Sequence, residues 1–208
     1  MPPETADAGG GPEQAERRAP RLGLGFARRP LCLLLCLAGC AVGPEAGSPS
    51  RRAVVVAAGA GAIDIGEGGV RILADKGLTG GGWSALERTE PPGTRTSLHR
   101  HNRMDEAFYV VGGTFSVFVD GKLHILGPGG FVFIPRGTPH AQGNSSAAPV
   151  KILSLFSPAG WEQSARERAA LHARHPAGTP EFSRRIGEIF ARHDIEILGP
   201  SPIPGPED

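Results

Sequence analysis

An all-β domain is the fold this chain predicts, and three observations predict it. Short apolar runs recur through the middle of the chain. Turn-forming residues separate them: 31 glycines and 20 prolines among 208 residues favour tight connections over long helices. Within the runs, side chains alternate between two faces, as Phe115, Val117 and Val119 do against Phe118. Short strands joined by regular turns close up as a sandwich or a barrel. The formal net charge is +1, so no strong field draws nucleic acid, and none is expected as a partner.

The elements follow in order. Residues 54–58 are either a tether or a first short strand. Residues 70–73, 83–90 and 95–98 read as strands, and 107–111 is an apolar strand headed by Glu106. The run 114–119 leads into Asp120-Gly121, a two-residue hairpin turn of type I′, from which 122–126 returns. Gly127 to Gly130 turn the chain again before 131–134, and 150–156 completes the set. Beyond Pro158 the pattern changes. Residues 161–172 read as a helix, with Trp161, Ala165 and Ala169 at helical spacing. Thr179 as N-cap and Pro180 at the first helical position open a second one. Its stripe of Phe182, Ile186, Ile189 and Phe190 predicts packing on the outside of the β domain. Residues 194–198 form a short extended piece, and a proline-rich tail follows.

Candidate chemistry lies in 93–144. His99 and His101 stand two apart in an extended segment, so both imidazoles point the same way. Glu106 follows after a short break, and His140 comes after a strand and a Pro/Gly turn. Three imidazoles and one carboxylate suit a divalent transition metal: nitrogen donors fit Zn, Fe, Ni or Cu, and the carboxylate admits Mn. Phe108 and Val110 share the face of Glu106, and Phe131 or Phe133 is expected to face inward beside them. The expected pocket is therefore apolar, with one polar point at the metal. His124, His172, His175 and His193 read as surface residues.

The same residues resemble the two motifs of the cupin superfamily. The pattern G-x5-H-x-H-x4-E-x6-G is met by Gly93, His99, His101, Glu106 and Gly113. The pattern G-x5-P-x-G-x2-H-x3-N is met by Gly129, Pro135, Gly137, His140 and Asn144. The resemblance implies a jelly-roll double-stranded β-barrel over residues 61–158, with a helical C-terminal extension over 159–208. It implies that His99, His101, Glu106 and His140 hold one metal ion. Small single-domain cupins of this kind are similar to quercetin 2,3-dioxygenase-like proteins, in which the glutamate serves as ligand and base. Carried over, Glu106 is the catalytic residue of a dioxygenase-like oxidoreductase acting on a small organic molecule. Two alternatives stand beside that reading: a non-catalytic module that binds a small ligand or metal, and an isomerase or lyase acting on a sugar or keto acid. Charged residues lining the pocket favour sugars or acids; an apolar lining favours aromatic enolates. Arg95 and Arg136 are the nearest candidates for anion contacts. Pairing of two copies through sheet edges is a further expectation of the resemblance.

The N-terminal region carries a different signal. Arg28-Arg29-Pro30 precedes an apolar run from Leu31, and Leu37-Ala38-Gly39-Cys40 ends it. A basic region, a short apolar stretch and small residues before a break describe a secretory signal, too short for a stable spanning helix. Leu37 to Cys40 resembles the bacterial lipobox, which implies lipidation at Cys40, removal of residues 1–39, a tether over 40–60 and a membrane-anchored place in the cell envelope. Arg28-Arg29 weakly resembles a twin-arginine export signal. Cys32, Cys36 and Cys40 are the chain's three cysteines, so the processed domain has no thiol for a disulfide or a metal.

Overall fold

The computed structural model describes residues 53–66 and 68–205; Cys40 and the signal around it lie outside the described residues. Among the described residues eleven strands and three helices follow in order: β1 (Ala62–Asp64), β2 (Gly69–Ala74), α1 (Lys76–Thr79), β3 (Ser84–Glu90), β4 (Leu98–His101), β5 (Asp105–Gly112), β6 (Phe115–Val119), β7 (Lys122–Leu126), β8 (Phe131–Ile134), β9 (His140–Gly143), β10 (Val150–Ser157), α2 (Trp161–His172), α3 (Pro180–Arg192) and β11 (Ile195–Gly199). They form two sheets, β1-β2-β3-β10-β5-β8 and β11-β4-β9-β6-β7. The result is a mostly β two-sheet sandwich that fits a jelly roll. The expected closed barrel is corrected: each sheet keeps its own edges, and no strand is shared between them. Among the described residues no helix is long and apolar enough to cross a membrane.

Turn chemistry accounts for much of the strand order. Asp120 and Gly121 both have positive φ, 52° and 74°, as a type I′ turn requires, and β6 pairs with β7 directly across it. Gly113 has φ 86°, and a Cβ there would stand 2.8 Å from the Pro149 carbonyl oxygen, so only glycine lets β5 end against the start of β10. The helices start as the sequence predicts: the Thr179 hydroxyl accepts from the Phe182 N–H, and Pro180 occupies the first turn.

Apolar residues pack in two clusters. One joins Ile65, Val70, Leu86, Met104, Phe156, Trp161, Ala165 and Ile195, so α2 covers the sandwich. The other joins Phe108, Val110, Phe115, Val117, Ile134, Val150 and Ile152 between the sheets. Each fully buried large apolar side chain contributes about 1.5–3 kcal/mol.

Several expectations are overturned here. Of the two readings of residues 54–58 the strand is not formed, and the strand expected over 95–98 begins at Leu98, with only Arg95 bridging to Gly143. Phe131 and Phe133 face outward, 58% and 57% exposed. The register explains this. Glu106 pairs with Ile134 and Phe108 with Val132, and directly paired residues share a face, so β8 turns Val132 and Ile134 inward. His193 is not a surface residue: its side chain is only 12% exposed, and Nε2 lies 2.7 Å from Glu167. The helix α1, capped by the Asp75 carboxylate accepting from Leu78 N–H, and the strand β9 were not expected.

Candidate metal centre

Strand alternation places the first two candidate ligands. His99 and His101 are the buried positions of β4, while Leu98 and Arg100 are less covered. β9 brings His140 directly opposite His99, with ring centroids 4.3 Å apart. β5 supplies Glu106 from the other sheet, on the face it shares with Phe108 and Val110. All four side chains are at most 6% exposed. One ligand atom from each lies within 4.8 Å of the others. The four predicted ligands therefore converge across the gap between the sheets, three from one sheet and one from the other.

The outer ring nitrogens set the orientation. His99 Nδ1 is 2.8 Å from the Ser97 carbonyl, His140 Nδ1 is 3.0 Å from that of Thr138, and His101 Nδ1 is 3.1 Å from that of Asp194. A carbonyl only accepts, so each Nδ1 carries the hydrogen and each Nε2 lone pair is left for the centre. This is the usual support for metal-binding imidazoles. His140 Nε2 lies 3.0 Å from Glu106 Oε2. His101 Nε2 lies 3.4 Å from the same oxygen without hydrogen-bond geometry, and it is a buried polar atom with no hydrogen-bond partner among the described residues. Such an atom is costly unless a ligand satisfies it. A cation at the centre satisfies all four groups at once, so the donor set fits a divalent transition metal.

Electrostatics agrees. Burial, aided by His140, pushes His99 down to about 3, so its ring is neutral at physiological pH. Burial pushes the Glu106 carboxyl up, yet the imidazoles of His101 and His140 beside it outweigh this and hold the group below its ordinary value. For His140 burial pushes down, and the Glu106 carboxylate more than compensates. His99 is thus a neutral donor and Glu106 an ionised one, the states a cation needs, whereas His140 must give up the proton that Glu106 favours before it can bind.

Backbone contacts hold the loops that carry these groups. Gly137, with φ 82°, donates its N–H to the His101 carbonyl at 2.6 Å, tying the turn before His140 to β4. Arg136 donates from its backbone and side chain to Asp105 beside Glu106, at 2.8–2.9 Å. That assigns Arg136 a structural role rather than an anion contact. Asn144 Nδ2 donates to the carbonyls of Glu90 and Ala148, bridging the end of β9 to β3.

Beside His99 opens a cavity of about 120 Å³, lined by Arg88, Arg95, Gln142, Trp161 and Arg168 among others. Its walls combine arginines with the apolar Phe190, Ile195 and Ile197, where a wholly apolar lining was expected. Arg88 and Arg168 are 1% and 4% exposed, and both guanidinium groups stand over the Trp161 ring, at 5.6 and 6.0 Å. Trp161 in turn stacks on Phe156, whose ring meets His101 edge-on. Arg95 was a candidate in the sequence; Arg88, Arg168 and Trp161 were missed. Arg88 had a signal, since alternation along β3 puts it on the inward face of Leu86. Arg168, on α2, had none, because a charged helix residue is ordinarily solvated.

The four convergent donors lie between the two sheets of a fold that fits a jelly roll. Residues 87–156 match the family model described as Cupin domain, which supports the cupin superfamily. An uncharacterised protein of Methanocaldococcus jannaschii is 32% identical over 75 residues, 36% of this chain and 60% of that one. L-ectoine synthase of Bordetella parapertussis is 29% identical over 104 residues, 50% of this chain and 77% of that one. Among solved structures, KdgF from Halomonas sp. is 26% identical, covers 50% of this chain and 90% of its own, and has a TM-score of 0.45. The chain thus spans 60% of the length of the first of these relatives.

Proposed function

We propose that the protein holds one divalent transition metal through His99, His101, Glu106 and His140 and acts on a small organic molecule bound beside it. The observation that carries this reading is the convergence of four buried ligand atoms within 4.8 Å, with each Nδ1 at a backbone carbonyl. The ion supplies Lewis acidity toward a substrate oxygen, and redox capacity if it is Fe, Mn, Cu or Ni. The chain supplies the rest. Its carbonyls fix the three rings, its two sheets exclude water, and Glu106 is an ionised carboxylate that can accept a proton once it parts from His140.

Dioxygenase-like oxidation is one form of this chemistry. Loaded protein that consumes no oxygen with a panel of flavonols and diketones would rule it out. The arginines around the neighbouring cavity favour a second form, isomerase or lyase chemistry on an acid or sugar. A relative named as a synthase also favours catalysis over a purely binding role. The metal itself is tested by elemental analysis of purified protein beside His101→Ala. One stoichiometric ion is expected, with at least tenfold less in the variant at unchanged circular dichroism; equal metal in both removes the reading.

A lipid anchor at Cys40 and a place in the cell envelope are proposed from the basic-apolar-small pattern of residues 28–40. An intact, unacylated amino terminus by mass spectrometry would end that proposal. A homodimer is proposed on the exposed apolar side chains Trp83, Tyr109, Phe131 and Phe133. Sedimentation equilibrium reads it, and a monomer at all concentrations excludes it.

A further inference from the structure

We propose that the cavity beside His99 is a subsite for the carboxylate of a small organic acid, with Arg88 and Arg168 as the residues that recognise it. This rests on the functional reading above, because it names the substrate class of the same centre.

Arg88 carries the argument. It is 1% exposed, and the Glu90 carboxylate lies 2.6 Å from its Nη2. Its other terminal nitrogen, Nη1, is buried and has no hydrogen-bond partner among the described residues. A charged N–H removed from water and left unmet is costly, and natural proteins keep such groups where a ligand completes them. The cavity that Arg88 lines also takes in Arg95, Arg168 and the metal-ligand candidate His99. A planar guanidinium matches a carboxylate in shape as well as charge.

Size narrows the class. The cavity measures about 120 Å³, smaller than a pocket of ~150 Å³ that accommodates a benzene ring. A three-ring flavonol exceeds it, whereas an acid of a few carbons fits. Trp161 offers such a chain an apolar wall, and its ring is held in place by stacking on Phe156 and by the guanidinium groups of Arg88 and Arg168. An acid whose carboxylate meets Arg88 and Arg168 therefore lays its remaining atoms against His99, at the edge of the metal centre.

The test is isothermal titration of the full chain with pyruvate and glycolate, with acetamide and inorganic phosphate as comparisons. Binding of the two carboxylates and none of acetamide is expected. Arg168→Gln is expected to weaken pyruvate at least tenfold, as is the paired Arg88→Met/Glu90→Met, which removes the ion pair without stranding a charge. Arg174→Gln, outside the cavity, leaves it unchanged. Equal binding of acetamide, wild-type affinity in both arginine variants, or phosphate binding tighter than either acid overturns the proposal. His101→Ala separates this inference from the metal reading. Carboxylate binding retained in that variant supports the subsite whether or not the protein carries an ion; binding lost there places the carboxylate on the ion and overturns it.

Discussion

Asp194 shows how much a single residue contributes to the centre. Its φ is 61°, a left-handed conformation that aspartate tolerates better than most side chains. That twist lets its carbonyl meet His101 Nδ1 at 3.1 Å while its carboxylate accepts the Arg103 N–H at 2.6 Å. One residue thus orients a candidate ligand and clamps the turn between β4 and β5. Asp194→Ala keeps that carbonyl but loses the clamp on Arg103 and the tolerance of a positive φ, so the carbonyl shifts and metal affinity is expected to fall by up to about tenfold. Asp194→Asn, which suits the same backbone, is expected to lose less; competition with a chelator measures both. The ligands themselves were legible in the sequence, because a spacing of two and a strand geometry suffice to point His99 and His101 together. Asp194 was not, because nothing local ties it to a histidine 93 positions earlier in the chain.

At the scale of elements, register decides what the sequence leaves open. Alternation along β8 says that Phe131 and Phe133 share a face, but not which face is inward. Only the pairing of Glu106 with Ile134 settles it. β9 escaped notice for a related reason: its four residues, His-Ala-Gln-Gly, are all buried, so no alternation marks them. α3 is easier, since the Thr179 cap, Pro180 and a continuous apolar stripe are local signals. The start of β5 is fastened to the turn before β9 by Asp105 and Arg136. The Asp105 carboxyl is held down to about 2 from an ordinary 3.8, first by the Arg136 side chain and then by its backbone N–H. A depressed folded value stabilises above 3.8, and that contribution is lost as pH falls through about 2. The thermal midpoint is therefore expected to drop across this window, and Asp105→Asn to remove that part of the drop. A pH profile of the variant superimposable on the parent would refute this.

For the whole molecule, the notable connection is between the middle and the far end of the chain. The cupin match stops at residue 156, yet β11 pairs with β4 through Ile195 opposite His101 and Ile197 opposite His99. Without β11 the strand bearing two candidate ligands becomes a sheet edge. Removal of residues 194 onward is expected to abolish metal uptake and to promote aggregation, measured by elemental analysis and light scattering. Full metal content in the shortened chain would show that β4 holds its shape alone. The sequence predicts an extended piece at 194–198, but a lone short strand does not announce its partner.

This arrangement has a consequence for biosynthesis. A nascent chain that has emerged only as far as β10 has all four donors outside the ribosome but not the carbonyl that aligns the second imidazole. If the centre takes up an ion, capture by the finished geometry follows release of residue 194, and the ion met is the one available where folding ends.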